Sequence, residues 1–238
     1  MRYLMIVQYN GKPFNGFQKQ TNGNTVQNKL EDAIKIITKE SVICVGSGRT
    51  DAMVSAYFQP VHFDINTKLN VQKFQNSMNG ILPDEIKVLS VCENNLHARF
   101  DAKSKTYCYK MYVSNVEMPL CDYALKISPS LDFKSMKKFV KLLKGTHNFE
   151  GFKASGSETE SSIRTIFKAK LNQHGKFLTF EITGNGFLYK MVRNIVGTML
   201  KIGEGKLDLK KLKSTLFSTY KCTHTAQPQF LYLKNVKY

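Results

Sequence analysis

Apolar positions recur along this chain with two spacings, every second residue and about every 3.6 residues, and an element ends where one spacing gives way to the other. The run Tyr3-Leu4-Met5-Ile6-Val7 predicts a strand over Arg2 to Gln8, and Asn10-Gly11 turns the chain after it. Val26, Leu30, Ala33, Ile34 and Ile37 form one stripe, which predicts a helix from Thr25 to Lys39 with Thr25 as its cap. Val42-Ile43-Cys44-Val45 reads as a buried strand, and Val61, Phe63 and Ile65 alternate as a strand with one buried face. A short helix follows on Val71, Phe74 and Met78, ended by Asn79-Gly80, and Ile86 to Val91 is another strand.

The second half repeats the mixture without repeating the residues. Tyr107, Tyr109, Met111 and Val113 alternate with Cys108, Lys110 and Tyr112 as a strand. Asp132 caps a helix that turns Phe133, Met136, Phe139, Val140 and Leu143 inward. Gly145 to Ser162 reads as one long loop, with Ala154-Ser155-Gly156-Ser157 its most mobile-looking part. Strands at Ile163 to Leu171 and Phe177 to Thr183 precede a helix over Leu188 to Ile202. A last helix on Leu209, Leu212 and Leu216 leads to a strand around Leu231 to Val236. Strands and helices in this mixture indicate an α+β protein of two halves, residues 1–103 and 104–238.

Charge narrows the choice of partner. Thirty-five Lys and Arg against 18 Asp and Glu leave a net charge of +17, which favours polyanions, nucleic acid first among them. The lysines are spread as a surface and not gathered in a tail. Five cysteines with no CxxC suit a reducing compartment, and Cys222-x-His224 is too isolated for a zinc site, so no metal is expected. No apolar run approaches the ~18 residues of a membrane span, and the first strand starts at Met1, so a cytoplasmic protein without membrane attachment is expected.

Candidate chemistry sits after the Val42–Val45 run, at Gly46-Ser47-Gly48-Arg49-Thr50-Asp51. A carboxylate and a guanidinium on a Gly-rich loop leaving a strand can be a site or an exposed, nearly neutral ion pair. Upstream, Phe14, Phe17, Lys19 and Gln20 can contact bases or plug the core.

Gly48-Arg49-Thr50-Asp51-Ala52-x-Val54 resembles the catalytic loop of the tRNA pseudouridine synthase A family, whose members isomerise uridine to pseudouridine in the anticodon stem-loop of tRNA. The resemblance runs nearly end to end. It takes in Tyr9-Asn10-Gly11, Gly16-Phe17-Gln18, Val61-His62-Phe63, His97-Ala98-Arg99-Phe100, Tyr107-x-Tyr109, Met191-Val192-Arg193-Asn194 and Leu231-Tyr232-Leu233. It implies two similar RRM-like α/β halves whose antiparallel sheets join into one central sheet, with an RNA cleft across the junction. It also implies a homodimer acting at tRNA positions 38 to 40.

The reaction needs a nucleophile for the uracil ring or the sugar C1′, a base for the C5 proton, and extrusion of the target from its stack. The resemblance makes Asp51 the nucleophile and Arg193 its ion-pair partner, since a carboxylate must stay ionised where water is excluded. It makes Arg49 a support for the extruded base, Tyr107 the residue that stacks on the uracil, and Leu231 an apolar contact. A phenol, with an ordinary pKa near 10, is a poor base, so stacking is the stronger expectation for Tyr107 than proton transfer. No nucleotide or redox cofactor is needed, and neither GxGxxG nor GxxxxGK[ST] occurs. The chain departs from the family at Met53 and Ser55, where Gly and His are usual, and at Gln227 and Phe230, where Pro and Gly are usual. Two rivals follow: a non-catalytic RNA-binding protein on the same scaffold, and a pseudouridine synthase for another RNA.

Overall fold

The computed structural model describes residues 1–21, 23–156 and 159–238. Ser157, the end of the loop segment singled out above, lies outside the described residues. The chain forms two compact units, Met1–Lys103 with Tyr232–Tyr238, and Ser104–Leu231.

In the first unit, strands β1 (Arg2–Tyr9), β3 (Ser55–Asp64), β4 (Ile86–Glu93) and β10 (Leu231–Lys237) lie in the order β4-β1-β3-β10. The two-residue β2 (Val45–Gly46) pairs with β3 beside Val61 and His62. β1 is antiparallel to β3 and β4, whereas β10 runs parallel to β3, so the sheet is mixed rather than purely antiparallel. The pleat puts Tyr3, Met5 and Val7 of β1 on one face with Val61 and Phe63 of β3, all buried. Helices α1 (Val26–Thr38) and α2 (Val71–Ile81) add Val26, Leu30, Ile34, Phe74 and Met78 to the same core. Thr25 caps α1 as expected, its hydroxyl accepting from Asn28 N–H at 3.3 Å.

Two local expectations fail here for traceable reasons. The Val42–Val45 strand shrinks to Val45–Gly46, because the Cys44 N–H donates to the Glu31 carboxylate at 3.0 Å instead of to a neighbouring strand, and Ile43 is exposed. Asn79-Gly80 does not stop α2, which runs to Ile81. The Asn79 side chain is committed elsewhere: it accepts from Val88 N–H at 2.7 Å and donates to Val88 O at 2.9 Å, clamping the helix to β4.

The second unit holds β5 (Ser104–Val113), β7 (Gly145–Asn148), β8 (Ile163–His174) and β9 (Phe177–Gly184) in the order β5-β9-β8-β7, all antiparallel. A three-residue strand, β6 (Leu125–Ile127), runs parallel to β5. Helices α3 (Phe133–Leu142) and α4 (Met191–Gly203) pack on each other, and α5 (Leu209–Thr215) packs on α3. Tyr109, Met111, Leu178, Phe180 and Ile182 of the sheet and Ile195, Val196 and Met199 of α4 are all buried.

The segment read as one loop from Gly145 begins instead with β7, then a 3-10 turn at Glu150–Phe152. The Thr146 and Thr165 hydroxyls pair across β7 and β8 at 2.8 Å, and Phe149 and Phe152 are fully buried, which anchors a stretch too short to show a period. α4 starts at Met191 and not at Leu188, since Lys190 takes the left-handed conformation (φ 55°) and ends helical continuity there. Among the described residues no helix is long and apolar enough to cross a membrane.

One buried histidine explains why two of the quoted motifs occur together. His62 Nδ1, on β3, accepts from the Ala98 N–H at 3.0 Å, and its ring lies 4.5 Å from that of His97, which in turn stacks on Phe100 at 4.3 Å. Burial, then the nearby charges of Arg2 and His97, lower the His62 pKa to about 4. The unfolded chain therefore binds a proton here between pH 6.5 and 4 that the folded chain does not. Stability is full above pH 6.5 and falls as pH drops through that window. Between pH 7 and 4.5 the expected loss is about 2 kcal/mol, read from urea midpoints, and His62→Gln should flatten that part of the profile.

Candidate active site

The loop between β2 and β3 is held from below by the residues of the two upstream motifs. Tyr9 OH and Thr50 Oγ1 share a buried hydrogen bond of 2.8 Å, and Phe17 N–H donates to Thr50 O at 3.1 Å. Ser47 Oγ donates to Gln59 Oε1 and Gln59 Nε2 to Gly48 O, each at 2.7 Å. Thr50 is thus pinned into the protein, while its neighbour Arg49 is exposed and Asp51 half-buried.

Glycine is obligatory where the two segments touch. A Cβ on Gly11 would lie 2.1 Å from Val54 O, and one on Gly16, already at φ +102°, would lie 2.7 Å from Thr50 O. Phe14 and Phe17, left open between base contact and plug, are buried, with Phe17 packed against Tyr9 and Gly46, so they are the plug beneath the loop.

The two departures in this loop have local accounts. Ser55 Oγ accepts from the Gly11 N–H at 2.9 Å, tying the two strands of the loop base. Met53 sits at φ +66°, a conformation that suits a glycine and strains a side chain. Met53→Gly is expected to raise stability by about 1 kcal/mol, seen as a higher thermal midpoint, even after glycine's extra freedom in the unfolded chain is counted.

The second unit carries the remaining candidates. Tyr107 lies on β5 opposite Ile182, buried, with the Phe187 ring edge-on at 5.2 Å. Arg193 is in the first turn of α4 and is locked to the segment before β10. Its Nε donates to Ala226 O at 2.8 Å, and Ala226 N–H returns a bond to Arg193 O at 3.1 Å. Asn194 Nδ2 donates to Phe152 O at 2.8 Å, and its Oδ1 accepts from Thr225 Oγ1 at 2.6 Å. That segment passes so close to α4 that a Cβ on Gly197 would lie 1.9 Å from His224 O. Pro228–Phe230 then forms a 3-10 turn that delivers Leu231, buried, as the first residue of β10.

Sequence reasoning left one residue of this region without a role. The Tyr109 ring meets the edge of Phe230 at 6.3 Å, and its buried hydroxyl has no hydrogen-bond partner among the described residues. Burial pushes that phenol well above its ordinary range, against the opposing pull of the Arg193 charge. The second tyrosine of Tyr107-x-Tyr109 was the available signal, and its spacing of two puts both rings on one face of β5.

The family described as tRNA pseudouridine synthase matches residues 5–101 and 139–238 of this chain. The chain belongs to the tRNA pseudouridine synthase A family. The tRNA pseudouridine synthase A of Thermoanaerobacter sp. (strain X514) is 41% identical over 244 residues, covering 100% of both chains. That of Streptococcus equi subsp. equi (strain 4047) is 39% identical over 245 residues, covering 100% of this chain and 98% of the relative. Its activity is accordingly that of a tRNA pseudouridine synthase, an isomerase, and Asp51 and Arg49 occupy the loop from which the resemblance started.

Proposed function

We propose that this tRNA pseudouridine synthase converts uridine to pseudouridine at positions 38 to 40 of the anticodon stem-loop, in the cytoplasm, as a homodimer. In this reading the sheets of the two halves, 1–103 and 104–238, join into one, and the RNA lies in a cleft across the junction. Asp51 is the nucleophile, and Arg193 holds it ionised. The carboxylate attacks the uracil ring or C1′ of the sugar and later leaves. The N1–C1′ bond breaks, the base turns, a C5–C1′ bond forms, the C5 proton departs and N1 gains one, so the atoms of substrate and product balance. Tyr107 stacks on the extruded uracil, Leu231 contacts its other side, and Arg49 supports the opened helix.

The observation that carries this reading is the pinning of Thr50. A residue bolted inward by its side chain and by its backbone carbonyl fixes the direction of the carboxylate beside it, which a nucleophile requires and an incidental surface ion pair does not. Mapping pseudouridine in tRNA from cells with and without the gene tests it. Loss of the modification at positions 38 to 40 alone is expected. Loss at other sites, or in another RNA, would give the assignment to the corresponding rival, and tRNA binding with no modified site would make the protein a binding module.

A further inference from the structure

The positive charge of this chain is unevenly divided. The second unit, Ser104–Leu231, has 21 Lys and Arg against nine Asp and Glu, whereas the first has 14 against nine. Within the second unit the excess gathers on two touching helices. On α3 the outward positions Lys134, Lys137, Lys138 and Lys141 are all lysine and all exposed, and α5 adds exposed Lys211 and Lys213. None of these six is in an ion pair among the described residues. Asp132, the α3 cap, is held by Ser135 through its N–H at 2.9 Å and its hydroxyl at 2.6 Å, and Asp208, the α5 cap, accepts from the Lys210 N–H at 2.8 Å.

A general enrichment in lysine does not produce this face. The outward side of α2 is Gln72, Lys73, Asn76 and Ser77, and that of α1 includes Asp32 beside Lys35. On α3 the spacings 134–137, 134–138, 137–141 and 138–141 are like-charge pairs three or four apart, each of which destabilises a helix. No interior contact of these lysines offsets that repulsion, since the buried side of α3 is Met136, Phe139 and Val140. A bound polyanion would.

The patch also stands away from Arg193, in the same unit. α3 begins beside the last turn of α4, where Asp132 N–H donates to Gly203 O at 2.9 Å, whereas Arg193 is in the first turn of α4. Along the α4 axis those points are separated by about 15 Å. We propose that the lysine face of α3 and α5 is a second RNA-binding surface, which grips phosphates of the tRNA outside the hairpin that carries the target uridine. The inference rests on the tRNA substrate proposed above.

The test compares wild type with the fourfold variant Lys134, Lys137, Lys138 and Lys141→Gln on intact tRNA and on the isolated anticodon hairpin. For intact tRNA the variant should bind at least tenfold more weakly near 0.1 M salt, and the slope of log affinity against log salt should flatten by about 3. Hairpin affinity and turnover should stay within twofold. At low salt the variant should melt at a higher temperature than wild type, because the repulsion is gone. An unchanged affinity and slope for intact tRNA would overturn the proposal, and so would an equal loss on tRNA and hairpin. Lys211 and Lys213→Gln, which leaves α3 intact, gives a second route to the same two readings. These binding arms decide the matter even if the wild type releases no tritium from C5-labelled tRNA, an outcome that would sink the proposed function alone.

Discussion

Asp51→Ala is expected to release no measurable tritium from tRNA labelled at uridine C5, a loss of roughly 10⁴-fold or more, since the covalent nucleophile proposed here has no substitute. Its tRNA affinity should stay within about threefold of wild type, because phosphate contacts by lysine and arginine supply most of the binding. Its thermal midpoint should move little as well. The loop is held through Thr50, Ser47 and Ser55, bonded to Tyr9, Gln59 and Gly11. A half-exposed residue on a loop fixed by its neighbours contributes about 0.5 kcal/mol or less to folding. The three measurements together separate chemistry from binding and from fold. Should Asp51→Ala keep a tenth of wild-type release, the carboxylate would not be the nucleophile. Should it lose tRNA binding in parallel, its role would lie in RNA recognition.

How much of this could be read before the structure depends on the range of the interaction concerned. The α1 stripe, its Thr25 cap and the alternation of β5 are decided by residues within a turn or two, and they appear where the periodicity put them. The elements misread were decided by partners far along the chain. Cys44 left the strand for Glu31, 13 residues away, and Asn79 spent its turn-forming side chain on β4. β7 exists because β8 offers it Thr165, and nothing in Gly145-Thr146-His147-Asn148 announces that by itself. The aromatics of the Phe14–Gln20 segment carried two readings, and only burial decided between them.

The site divides along the same line. Arg49 and Asp51 could be singled out as candidates because a Gly-rich loop after an apolar run has a local signature. The reason Gly11 and Gly16 must be glycine lies in carbonyls 34 to 43 residues further on, at Thr50 and Val54. The resemblance gave Arg193 a partner for its charge, but composition and spacing do not disclose that Ala226 O takes its Nε. The buried phenol of Tyr109 was hidden for a different reason, as a tyrosine in an alternating strand looks like ordinary core.

Arg193 supports the second large effect. Arg193→Ala is expected to lower turnover by about 10²- to 10³-fold, less than the loss at Asp51, because in the proposed mechanism it removes the group that holds the nucleophile charged and oriented and leaves the nucleophile itself. Folding should lose about 1 kcal/mol, the worth of the hydrogen bond from Nε to Ala226 O. Arg193→Lys keeps the charge but has no planar fork with which to bond Ala226 O and a carboxylate at once, so it should recover only part of the turnover. Added guanidinium at millimolar concentration, far below denaturing levels, should restore activity to Arg193→Ala and do nothing for Asp51→Ala. A residue that merely braced the segment before β10 would behave otherwise. Its loss would track the fall in thermal midpoint, Lys would serve no better than Ala, and guanidinium would not rescue it.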